Sequence, residues 1–99
     1  MPKYFFCHKA ADDLAKIWHH TYEKWPEKQA DNYYKSLISY CSEIAKNPTI
    51  GKTYNGISLG LLGLKSAKHI IFYRSRNAAG IEIIRILHER MDLKHRIKE

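Results

Sequence analysis

Apolar residues along this chain change period, and each change marks a new element. Residues 3–7 are a short aromatic run that predicts a strand. From there Ala11, Leu14, Ala15, Ile17, Trp18, Tyr22 and Trp25 recur at helical spacing on one stripe, which predicts a helix over 10–24. Pro26 suits the first turn of a second helix, where its missing N–H costs nothing. The second stripe is Ala30, Tyr33, Tyr34, Leu37, Ile38, Cys41, Ile44 and Ala45, stopped at Asn47 and Pro48. Residues 49–58 form a loop punctuated by Gly51 and Gly56. Residues 59–64 are apolar but interrupted by Gly60 and Gly63, a strand with a bulge or bend. Residues 69–74 and 81–87 are rich in Ile and aromatics, with a hairpin turn at 77–80. Residues 89–98 are polar and predict a short C-terminal helix or tail.

Runs of one element type, rather than alternation of strand and helix, give an α+β class: an N-terminal strand, a helical hairpin, then a three-stranded antiparallel sheet. At 99 residues and 44% apolar composition, one domain over 1–99 is expected. Strict alternation on the last strand puts Ile81, Ile83, Arg85 and Leu87 on one face, with Glu82, Ile84, Ile86 and His88 on the other. The preceding strand sets Ile70, Phe72 and Arg74 against Ile71 and Tyr73. Helices cover one face only, so the other is expected to stay exposed beside its arginines.

No apolar run approaches the roughly 18–20 residues that span a bilayer, and the apolar block at the start is too short for a secretory signal. The expected location is the cytoplasm, with no membrane partner. Cys7 and Cys41 make neither a disulfide framework nor a zinc motif. No histidine spacing suggests a metal site and no glycine-rich phosphate loop is present, so neither metal nor cofactor is expected. The net charge of +7 points to an anionic partner, and no Asp or Glu occurs between residues 44 and 81, where Lys46, Lys52, Lys65, Lys68, Arg74 and Arg76 lie. The basic field therefore belongs to the sheet end.

Five segments in order carry a family resemblance: residues 11–18 (ADDLAKIW), Trp25 with Gln29, Ala30 and Tyr33, residues 45–48 (AKNP) with Gly51, residues 69–74 (HIIFYR), and residues 84–92 (IRILHERMD). In these the chain resembles the ParE toxins of the RelE/ParE superfamily of bacterial type II toxin–antitoxin systems. The resemblance implies a growth-arresting toxin neutralised by a ParD-like antitoxin, whose acidic amphipathic segment folds along the toxin. It implies inhibition of DNA gyrase by trapping its cleaved-DNA complex, with DNA met only through antitoxin or gyrase. A homodimer, or a heterotetramer with antitoxin, is compatible with it. Two departures stand out. Pro26 follows Trp25 where Gly is usual, and residues 59–64 are more apolar and Gly-rich than the basic strand common there.

The alternative within the superfamily is a RelE-like, ribosome-dependent mRNA endonuclease. Such chemistry uses basic groups at phosphate with an acid–base residue. Here those would be Lys68, Arg74 and Arg85 with His88; Lys65 is a further phosphate-binding candidate. No Tyr follows Tyr73, so a binding inhibitor without catalytic residues is the preferred expectation. The surface expected to carry toxicity is Arg74, Arg76, Arg85, His88, Arg90 and Met91. The exposed side of the helical hairpin, with Tyr33, Leu37 and Tyr40, is expected to meet the antitoxin. Structural roles compete at several positions: pairing of Arg85 with Glu82 or Asp92, and a bond from His88 to Asp92 or backbone. Trp18 and Trp25 are read as core or helix-packing anchors, and His19 and His20 as a solvated helix face.

Overall fold

A computed structural model describes residues 3–98; residues 1, 2 and 99 of the expected domain lie outside the described residues. Strand β1 (Tyr4–Phe6) leads into α1 (His8–Lys24) and α2 (Glu27–Lys46), followed by β2 (Lys52–Thr53), β3 (Leu62–Ser66), β4 (His69–Ser75), β5 (Ile81–His88) and a short α3 (Leu93–Ile97). A single 3-10 turn, Asn77–Ala79, joins β4 to β5. The class is α+β, as the sequence implies. The helices form where the apolar stripes lie: α1 buries Ala10, Leu14 and Ile17, and α2 buries Ala30, Leu37, Cys41 and Ile44. Each large side chain so buried contributes on the order of 1.5–3 kcal/mol.

The sheet departs from expectation: it has five strands in the order β1-β5-β4-β3-β2 and is mixed rather than three-stranded and antiparallel. Strand β1 lies parallel to β5, with Tyr4 opposite Ile81 and Phe6 opposite Ile83. It satisfies the free edge of β5, since Cys7 N–H donates to Ile83 C=O (3.1 Å) and Ile81 N–H to Lys3 C=O (3.1 Å). Strand β2 pairs with β3 through Lys52 opposite Gly63. A Cβ on Gly63 would lie 2.7 Å from the Tyr54 ring, so the bare backbone is what lets that ring sit against the sheet.

The alternation expected on β5 is also broken. Phe72 stands opposite Arg85 but Tyr73 opposite Ile83, which leaves Ile84 without a partner across the β4–β5 ladder. The bulge resets the faces. Ile81, Ile83 and Ile86, not Arg85 or Leu87, join Ile71 and Tyr73 in the core under the helices. Leu87 and Ile84 join Ile70, Phe72 and Leu61 on the other side.

That other face is not left open. The loop after β2 lays Tyr54, Ile57 and Leu61 over Phe72, and α3 adds Leu93 and Ile97. Phe72 and Leu87 are consequently buried. The strand expected to begin at Leu59 begins at Leu62; before it, the chain turns at Gly60 with a φ of +80° that suits glycine. A second anchor fixes the exit from α2: the buried Tyr73 hydroxyl donates to Pro48 C=O (2.8 Å) and accepts from Gly51 N–H (2.9 Å).

Candidate functional site

The arginines named from sequence do not form one surface. Arg85 is buried, and its partner is neither Glu82 nor Asp92 but Asp13 on α1. Arg85 Nε and Nη2 donate to the two Asp13 carboxylate oxygens at 2.7 and 3.0 Å. Arg85 Nη1 donates to Arg96 C=O at 2.7 Å, and Asp13 also accepts from Ile86 N–H at 3.1 Å. The bulge sets Arg85 opposite Phe72 rather than on the helix side with Ile83, and from there its guanidinium reaches both Asp13 and Arg96, so this fork-to-carboxylate pairing ties α1, β5 and α3 together. Asp13 was absent from the sequence-derived site, although it lies on the α1 stripe between Ala10 and Ile17.

Arg74 is likewise engaged. Its Nη1 donates to Leu59 C=O (2.6 Å) and its Nη2 to the Ser58 hydroxyl, so it clamps the loop over the outer face. Arg76 pairs with Glu82 through Nε and Nη2, both at 2.7 Å. Lys65 pairs with Glu89 at 2.7 Å and holds that exposed carboxyl below its ordinary range, mainly through the hydrogen bond.

His88, Arg90 and Met91 do converge. With His20, Thr21 and His69 they line a cavity of about 470 Å³ between α1 and the end of β5. It continues into a second recess of about 550 Å³, which shares His20, Thr21, His69 and His88 and adds Trp25, Tyr33 and Lys68. The result is a groove where the C-terminal half of α1, the start of α2, the β3–β4 turn and the end of β5 meet. Three histidines from three elements gather there; the sequence alone gave no sign that His20 and His69 would join His88.

The bonds in the groove are specific. The His69 and His88 rings lie edge to face with centroids 5.4 Å apart. His88 Nδ1 accepts from Arg90 N–H at 3.1 Å. The Tyr33 hydroxyl bonds His69 Nδ1, and Lys68 lines the same recess. Ala67, in the tight β3–β4 turn, adopts a left-handed φ of 54° that carries Lys68 into this position. Burial lowers His69 to about 4, helped by the neighbouring His88 and His20. Burial also raises Tyr33 above the ordinary phenol range.

Of the residues expected to meet the antitoxin, Tyr40 is exposed and Tyr33 is partly buried in the groove. Leu37 does not belong on an exposed side: it is 0% exposed, because its place on the α2 stripe faces the sheet. The open side of the hairpin is built instead from aromatics. Trp18 packs tilted against Tyr22 (centroids 4.4 Å apart) and meets Tyr34 edge-on, while Trp25 packs at a right angle to Tyr33. Both tryptophans pack helix to helix, yet Trp18 stays 38% and Trp25 37% exposed. Phe6, Leu14, Trp18 and Tyr34 line a recess of about 480 Å³ between β1, α1 and α2.

Among the described residues no group of His, Cys, Asp or Glu is placed to hold a metal ion, and no helix is long and apolar enough to cross a membrane. Residues 4–93 match the model of the family described as the ParE toxin of the type II toxin–antitoxin system parDE. The chain is 34% identical over 91 residues to Toxin ParE1 of Mycobacterium tuberculosis (strain H37Rv), covering 92% of this chain and 93% of that protein. It is 31% identical over 94 residues to Toxin ParE1 of Caulobacter vibrioides, covering 95% of this chain and 96% of that protein.

Proposed function

The chain belongs to the ParE toxin family of type II toxin–antitoxin systems, and from that membership we propose that it arrests growth by binding DNA gyrase in the cytoplasm and trapping its cleaved-DNA complex. A ParD-like antitoxin neutralises it. The family match over residues 4–93 carries this reading. The surface supports it in two ways. The aromatic recess at Phe6, Trp18 and Tyr34 offers an amphipathic antitoxin segment an apolar seat. At the far end of the sheet, Arg90 and Met91 stand exposed beside His88, which suits a large anionic target.

A binding inhibitor is favoured over an mRNA endonuclease by the commitments of the basic residues. Arg85 is buried against Asp13, and Arg74 is clamped to Ser58 and Leu59. A nuclease of this type would need them at the scissile phosphate. The toxicity surface we propose therefore centres on His88, Arg90 and Met91, with Arg85 acting through the fold.

The test is plasmid supercoiling by gyrase from the same source. Added toxin is expected to abolish supercoiling and accumulate linear, protein-linked plasmid, and cognate antitoxin to reverse both. Unaffected gyrase together with ribosome-dependent mRNA cleavage would overturn the proposal.

A further inference from the structure

The histidine groove contains hydrogen-bond donors without matching acceptors, and this goes beyond gyrase binding. His88 Nδ1 accepts a backbone N–H, so in the neutral ring the proton resides on Nε2. The Tyr33 hydroxyl bonds His69 Nδ1, and with the phenol as donor the proton of neutral His69 lies on Nε2 as well. Neither Nε2 has a hydrogen-bond partner among the described residues, and no buried polar side-chain atom there is left without one. Both Nε2–H groups are therefore open to the groove. The exposed Lys68 lines the same recess and adds a positive charge. Among the described residues the one carboxylate lining the groove, Asp13, is paired with Arg85.

Lys68, His69 and His88 line a recess of about 550 Å³ together with Trp25, which packs on the Tyr33 ring beside His69. That volume lies within the range of small-molecule sites and is far larger than a lone carboxylate needs. Donors fit phosphoryl oxygens, and an indole face fits a stacked base. We infer that this groove is a binding site for a nucleoside phosphate, with Lys68, His69 and His88 on the phosphoryl group and Trp25 against the base. Two sources present that chemistry: a free mononucleotide and a single nucleic-acid strand.

The experiment follows the imidazole 15N–1H signals of the intact chain during titration with AMP, with a short single-stranded oligonucleotide, and with acetate. AMP is expected to shift the Nε2 signals of His69 and His88 saturably, and acetate at equal concentration to leave them in place. K68A, at an exposed position that leaves the fold intact, is expected to weaken AMP about tenfold or more. Trp25→Leu is expected to weaken AMP but not inorganic phosphate. Per-phosphate affinity equal for AMP and oligonucleotide supports the free nucleotide. Much tighter oligonucleotide binding with a steep salt dependence supports the strand. No saturable shift with either probe, an equal response to acetate, or indifference to K68A overturns the inference. Because gyrase supercoiling is read separately, loss of the nucleotide site and loss of gyrase inhibition are told apart.

Discussion

Removing the Asp13 carboxylate isolates the contribution of the buried ion pair. Asp13 accepts three N–H groups, from Arg85 Nε (2.7 Å), Arg85 Nη2 (3.0 Å) and Ile86 (3.1 Å), and both side chains of the pair are 9% exposed. In Asp13→Ala the guanidinium loses the carboxylate it forks while still buried, and the Ile86 N–H loses its acceptor. Breaking a buried pair from one side costs about 3–5 kcal/mol. A domain of this size holds about 5–15 kcal/mol in all, so the variant is expected near the edge of folding. At about 4–8 °C per kcal/mol, its melting temperature should fall by roughly 12–40 °C. Urea unfolding followed by tryptophan fluorescence measures the loss. Asp13→Leu with Arg85→Met replaces the pair by apolar groups and is expected to regain most of the stability, because neither charge is then stranded. An Asp13→Ala chain within about 1 kcal/mol of the parent, or a double variant no more stable than the single, would refute the argument. The same logic fixes the meaning of Arg85→Ala: lost growth arrest should track lost folding, and a folded Arg85→Ala chain should still arrest growth.

Tyr73→Phe removes the hydroxyl that bonds Pro48 C=O and Gly51 N–H, and should cost about 1–3 kcal/mol in urea unfolding; an unchanged midpoint would contradict the anchoring role. His69 has its folded pKa lowered from 6.5 to about 4. The unfolded chain therefore binds the extra proton first, and the contribution of neutral His69 is full above about 6.5, falls as pH drops toward 4, and does not change further below that. His69→Gln should flatten the stability profile in that window, and a His69 ring titrating near 6.5 by NMR would count against burial as its cause.

The hairpin, its α2 stop at Pro48 and the apolar stripes were legible because helical periodicity is local: Leu14, Ile17, Leu37 and Ile44 are buried where spacing places them. The family followed from ordered local segments for the same reason. What the sequence by itself determined was thus the α+β class and its kinship. Only tertiary structure decided the rest. The bulge at Ile84 moved Ile86 to the helix side and took Arg85 off it, because alternation cannot register one extra residue, and the pairing of Arg85 with Asp13, 72 residues away in sequence, is set by the folded chain alone. The outer face was closed by a loop and α3, whose apolar residues Ile57, Leu61, Leu93 and Ile97 show no period that ties them to Phe72. The groove unites His20, His69 and His88 from α1, β4 and β5. His88 alone stood out along the chain; His20 and His69 read as ordinary surface or strand histidines until packing brings the three elements together, since side-chain convergence is a property of the folded chain and not of any window along it.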